Sequence, residues 1–304
     1  MTEFVRKNYL EILRTEQSEL ESYYRELRKY ECENDLPVNG IEWRKKTYQI
    51  VKLFLAIDKL INLRTVKVVG DERTPVDNTK VYTCTHIGRF DIESAIEALN
   101  EAAWFIMGDP KETYKNLNGL ILRLYGVSWF DMGDGEEFKY DAHTVNVRQQ
   151  KILLNGGNEL CFPEQAWNLD PIIPVGEIHP GPIKRAIKAK SVIIPTAIEQ
   201  YRGKFLKHYY VNLGKNIDVS GATLKDVDEI TEYVRSEMTK LKWEIWEKYG
   251  FEKRKNIAED WEQAYNDYID SIMCDSENGY TIEEIERTKY RKKVKVNNNL
   301  DFQI

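Results

Sequence analysis

Between Thr65 and Ser220 the chain carries seven short runs of β-branched and aromatic residues, near 65–69, 80–84, 103–107, 126–130, 158–162, 191–198 and 207–213. Helical pieces and turn residues separate them. Strands this short, alternating with helices, bury their apolar faces only as layers, helices against a sheet. The reading is therefore α/β, a mixed central sheet with flanking helices. A helical N-terminal arm precedes it and a helical C-terminal segment follows.

In the arm, residues 2 to 31 place Leu13, Leu20, Tyr24 and Leu27 at helical spacing among Glu, Arg and Lys, which predicts one amphipathic helix with a solvated charged face. Pro37 and Gly40 break it. A second helix, from about Glu42 to Leu63, has a broad apolar face of Ile50, Val51, Leu53, Phe54, Leu55, Ile57, Leu60 and Ile61. Packing on the following domain is the expected use of that face, and a membrane surface is the alternative. Beyond Gly221, Thr223 and Asp226 resemble a capping box. Val227, Ile230, Val234, Met238, Leu241 and Ile245 then form one stripe up to Gly250. Trp261, Tyr265, Tyr268 and Ile272 mark a further helix face. The linear division is an arm over 1–64, an α/β unit over 65–220 and a helical extension over 221–304 packed on it.

Composition narrows the function classes. The 304 residues hold 44 Lys plus Arg against 50 Asp plus Glu, a net charge of −6, so nucleic-acid binding by bulk phosphate neutralisation is not expected. No run approaches the roughly 18 apolar residues of a spanning helix, and the N-terminus lacks a signal-peptide apolar core. The expected location is cytoplasmic, with peripheral contact at the inner membrane face as the extension of the apolar-arm reading. The basic cluster Lys289, Arg291, Lys292, Lys293 and Lys295 reads as a solvated tail, with attraction to anionic lipid as its alternative. Cys32, Cys84, Cys161 and Cys274 are scattered, with no Cys-x-x-Cys. They read as reduced thiols, Cys84 and Cys161 packed in strands. No metal site is expected: the acidic loop Asp131 to Glu137 lacks the alternating ligands of a calcium loop, and His143, His179 and His208 have no partner at ligand spacing. The sequence does not indicate an oligomeric state.

The fourth histidine is placed differently. Val81 to Cys84 run into His86, a Gly-containing turn, and Asp91 at the opening of a helix. A strand-to-helix turn can fold that carboxylate back onto the ring. A carboxylate accepting from one ring nitrogen fixes the tautomer and leaves the other as a base for a hydroxyl proton. The plainer account makes Asp91 a helix N-cap. A second strand-end segment, Phe162-Pro163-Glu164-Gln165-Ala166-Trp167, puts a carboxylate at the mouth of a buried strand. Ile194-Pro195-Thr196, a strand with an internal Pro, reads as an edge or a cleft wall.

His86-x-x-x-x-Asp91, Phe162-Pro163-Glu164 and Ile194-Pro195-Thr196, in that order, resemble the motif blocks of the glycerolipid acyltransferase superfamily, of the lysophosphatidic-acid acyltransferase type, over about residues 65 to 245. The resemblance implies His86 as general base, Asp91 as its orienting group and Glu164 as an acceptor-binding residue. It implies an acyl thioester on coenzyme A or acyl carrier protein as donor substrate, with no other cofactor, and a place in phospholipid biosynthesis. Thr85 stands where the superfamily has Asn. The Gly-Thr-Arg-Ser continuation after Glu164 is absent, and Met132 falls where a second arginine belongs. Guanidinium is the favoured planar partner of phosphate, so the loss of both arginines argues against glycerol phosphate or lysophosphatidate as acceptor. Arg89 is a candidate substitute, as are Arg123 and Arg148. Gln165, Trp167 and Asn168 look like a set for hydroxyls and a ring face. The expectation is an O-acyltransferase acting on a lipid or glycan hydroxyl. The alternatives are a non-catalytic binder on the same architecture and an acyl-thioester hydrolase.

Overall fold

The computed structural model describes residues 4–34, 38, 40–88, 90–108, 117–130, 136–168 and 173–249, together with Gln263, Asn266, Asp267, Asp270 and Lys289. Arg89, Met132, most of the acidic loop, the Trp261 to Ile272 face and all of the basic cluster except Lys289 lie outside the described residues. The described elements run α1 (Tyr9–Arg14), α2 (Gln17–Glu33), α3 (Ile41–Ile61), β1 (Arg64–Asp71), β2 (Lys80–Cys84), α4 (Asp91–Leu99), β3 (Ala103–Gly108), α5 (Leu117–Tyr125) and β4 (Val127–Phe130). They continue with α6 (Glu136–Leu154), β5 (Asn158–Cys161), α7 (Gly181–Ala189), β6 (Val192–Arg202), β7 (Lys207–Leu213), β8 (Ile217–Asp218) and α8 (Val227–Tyr249). This is the mixed α/β class, and each strand-like run of the sequence is a strand.

Two compact units each draw on separate stretches of chain. One is residues 1–54 with 101–160, where β3 pairs in parallel with both β4 and β5. In it the single helix expected over 2 to 31 is two. Asn8 accepts from the Glu11 N–H while the Glu11 carboxylate accepts from the Asn8 N–H, so a capping box starts α1 locally, and extended Thr15 ends it. The charged face of α2 is not simply solvated either: Arg28 is buried in a two-pronged pair with Asp141 of α6.

The other unit is residues 55–100 with 161–304. Its strand order is β1-β7-β6-β2, with β8 also on β6. β1 runs parallel to β7, and β2 parallel to β6, with Cys84 level with Thr196, while β6 and β7 form an antiparallel hairpin. Pro195 is thus in an interior strand, not at an edge. It fits because β8 pairs β6 only at Val192 and Ile193 and the pairing of β6 with β7 starts at Thr196, so Pro195 falls in the gap between two partners, where no ladder donor is needed. The α8 stripe Val227, Ile230, Val234, Met238, Leu241 and Ile245 is buried as its spacing predicts. The cap differs from the expectation. Asp226 precedes the helix, and its carboxylate accepts from the backbone N–H and the hydroxyl of Thr223 at 2.8 and 2.8 Å, bonds that hold its pKa below the usual carboxylate range. The broad apolar face of α3 is divided: Val51 and Leu55 are buried, while Ile50, Leu53, Ile57, Leu60 and Ile61 are exposed. Among the described residues no helix is long and apolar enough to cross a membrane.

Candidate active site

The site begins where β2 ends. Buried Thr85 staples the strand end to β6: its hydroxyl donates to the Ile198 carbonyl at 3.1 Å and accepts from the Ile198 N–H at 2.9 Å. The chain then leaves the sheet at His86. Gly88 and Phe90 adopt left-handed φ values of 138° and 73°, which reverse the path within four residues of the ring. The turn delivers buried Asp91, the first residue of α4, back onto His86. Its Oδ2 accepts from His86 Nδ1 at 2.6 Å, from the Ile87 N–H at 3.0 Å and from the Gly88 N–H at 3.1 Å. The N-cap of α4 is Phe90, so Asp91 serves the turn and the imidazole instead of the helix start. With Nδ1 facing a carboxylate, Nε2 is the nitrogen left for a substrate, on a side chain that is 18% exposed.

The segment after β5 closes on the same residue. Glu164 Oε1 accepts from the His86 backbone N–H at 3.1 Å, and the Asn168 N–H donates to the His86 carbonyl at 2.6 Å. The other Glu164 oxygen accepts from the Gly176 N–H at 2.8 Å and from the Asn168 side-chain amide at 3.0 Å. Pro163 is buried and its carbonyl accepts from the His179 N–H. Phe162 packs on the His86 ring with centroids 4.6 Å apart, and Trp167 stands perpendicular to it at 6.3 Å with 57% of its surface exposed. Gln165, at φ 61°, is exposed on the same turn.

His86, Asp91, Phe162, Glu164 and Trp167 are therefore drawn together from two strand ends about 75 residues apart, with Pro163 and Gln165 on the connecting turn. Arg235 of α8 was not anticipated. Its guanidinium donates to the carbonyls of Gly176 and Val175 at 2.7 and 3.1 Å, bracing the segment that Glu164 holds. The available signal was a basic residue in line with Thr231 and Met238 on the apolar face of α8. Asn168, grouped by composition with ligands for hydroxyls, spends its amide on Glu164 and on the carbonyls of Ile173 and Pro174.

Among the described residues no thiol offers a nucleophile at this site. Cys84 has no exposed surface, and burial first, then the Asp91 charge, pushes its thiol well above the ordinary range. Cys161 is buried, donating to the Tyr82 carbonyl. Iodoacetamide applied to the native chain is expected to modify half-buried Cys32 and to spare Cys84 and Cys161 until denaturant is added. Peptide mapping that finds native Cys84 alkylated as fast as Cys32 would contradict this burial. Among the described residues no three His, Cys, Asp or Glu side chains gather as a metal site would require.

The architecture has a solved counterpart. The crystal structure of the 1-acyl-sn-glycerophosphate (LPA) acyltransferase PlsC from Thermotoga maritima superposes with a TM-score of 0.54 over 78% of this chain and 95% of that one, at 16% identity. This chain has the fold of that acyltransferase. No protein-family model and no curated protein sequence matches it. At such low identity the likeness speaks for the fold, and the chemistry rests on the site's own geometry.

Proposed function

We propose that the chain is an O-acyltransferase that moves an acyl group from a thioester, on coenzyme A or acyl carrier protein, to a hydroxyl of a lipid or glycan. The observation that carries this reading is His86, tied to Asp91 at Nδ1 on a partly exposed side chain that leaves Nε2 for a substrate, on an acyltransferase fold. His86 Nε2 takes the acceptor hydroxyl's proton as the oxygen attacks the thioester carbonyl. The tetrahedral intermediate collapses, the C–S bond breaks, and the leaving thiolate takes the proton from His86. Asp91 keeps the ring oriented through both steps. Glu164 positions the His86 main chain, and its Oε1, with one bond from the protein, retains a lone pair for an acceptor hydroxyl. Phe162 and Trp167 supply the apolar wall, Gln165 an amide. Gln165-Ala166-Trp167 replaces the superfamily's arginine-bearing continuation, which supports an acceptor without a phosphate at this position. With a lipid acceptor, the working place is a membrane face on the cytoplasmic side, with the protein bound peripherally.

The test follows thiol release from acyl-coenzyme A and acyl carrier protein thioesters with a panel of lipid and glycan hydroxyls. Release that depends on an acceptor, with acylated product found by mass spectrometry, is expected. Release without acceptor would make the protein a hydrolase, and no release with any pair would make it a binder.

A further inference from the structure

The end of the sheet that carries His86 also carries an apolar tip. β6 runs alongside β2 and continues six residues beyond Thr196, the partner of Cys84, to Arg202, which is about 20 Å of extended chain past the strand end that bears His86. It turns through Gly203 to Leu206 and returns as β7, and Phe205 at that turn is 74% exposed with Leu206 beside it. The Lys207 N–H donates to the Leu63 carbonyl, so the last turn of α3 meets the hairpin there, presenting Leu60 and Ile61 at 75% and 74% exposure and Leu63 at 58%. Single exposed leucines mean little, but six apolar side chains on adjoining elements, Ile57 included, form a patch.

Two lysines flank the patch. Lys204 stands over the Phe205 ring at 5.2 Å and Lys207 over the Phe90 ring at 5.1 Å, neither in an ion pair with a described acid. Of the neighbouring acids, Asp58 is paired with Arg64 and Glu97 with Lys59, and burial raises the Glu93 carboxyl above its ordinary pKa. Aromatic and aliphatic tips flanked by unpaired lysines suit the boundary of an anionic bilayer, where apolar groups insert and ammonium heads reach phosphate.

We infer that the α3 end and the β6–β7 hairpin tip form a docking surface for an anionic lipid bilayer. Phe90, under Lys207, directly precedes Asp91, so the docked surface brings lipid headgroups to the edge of the site. This deepens the acyltransferase reading and rests on it for the identity of the cargo. The docking itself is tested independently, with flotation of the full-length chain on vesicles of phosphatidylcholine alone and of phosphatidylcholine with phosphatidylglycerol. The wild-type chain is expected to float on the mixed vesicles. Leu60→Ser with Phe205→Ser should lower the bound-to-free ratio about tenfold or more on both vesicle types. Lys204→Gln should lower it about fivefold on the anionic ones alone. Both variants should keep wild-type circular dichroism and thiol release with a water-soluble short-chain acceptor. No flotation of the wild type, or flotation unchanged in these variants, overturns the inference. So does a concentration-dependent dimer that Phe205→Ser dissolves, since a second copy would then cover the patch. A protein that floats as expected yet transfers no acyl group retires the catalytic reading and leaves the docking surface standing.

Discussion

His86→Ala is expected to lower kcat for acyl transfer by about 10²- to 10⁴-fold, the contribution of a positioned general base. The fold should survive, because the ring is partly exposed and its recorded contacts are Asp91, Phe162 and Trp167. The main-chain bonds to Glu164 and Asn168 do not need an imidazole and should remain. KM for the thioester should change little, since a proton acceptor acts in the transition state and not in donor binding. Asp91→Asn separates orientation from chemistry. All three donors meet at Oδ2, so an amide oxygen in its place still accepts from Nδ1 and from the Ile87 and Gly88 N–H groups, but it carries no charge to stabilise the imidazolium that forms as the proton is taken. A fall in kcat with near-wild-type KM is therefore expected there too. Wild-type turnover in a folded His86→Ala protein would end the proposed mechanism.

What was legible in the sequence follows the range of the forces involved. The strands were legible because side-chain shape acts locally: Val192 to Ile194 and Val81 to Cys84 fit a pleated, buried surface wherever they sit. The α8 stripe was legible for the same reason. The break at Thr15 follows from local bonds that periodicity does not register: the Asn8–Glu11 capping box starts α1, and the hydroxyl of extended Thr15 donates to the Glu11 carbonyl at its end. Pro195 did not mark an edge, because its tolerance depends on where β6 leaves β8 and meets β7, a property of three strands at once. The site divides similarly. His86 and Asp91 share one turn, so their pairing was open to local reasoning. That Glu164 and Asn168 grip both ends of the His86 peptide, while Arg235 braces them from α8, arises only when distant stretches meet. Two units interleaved along the chain leave no mark in linear composition.

The same long range governs the second large effect. Asp141→Ala is expected to destabilise the protein by about 3–5 kcal/mol, because it strands a guanidinium that has almost no access to water. Arg28 is 7% exposed and Asp141 2%, and they meet through Nε–Oδ1 and Nη2–Oδ2 contacts of 2.7 and 2.8 Å between α2 and α6. The neighbouring pair between Arg6 and Glu31, 3.0 Å apart with Arg6 half exposed, is solvent-screened, so Arg6→Ala should cost less than about 1 kcal/mol. Replacing both buried partners at once, Arg28→Met with Asp141→Leu, should recover most of the loss. No charge is then isolated, and apolar groups of similar size fill the seam. Urea unfolding of the four proteins, followed by far-ultraviolet circular dichroism, measures the differences. If Asp141→Ala costs no more than Arg6→Ala, water reaches Arg28 in its absence and the α2–α6 seam opens more readily than its burial implies. If the double variant is as weak as the single one, the pair's geometry contributes stability that apolar packing cannot replace.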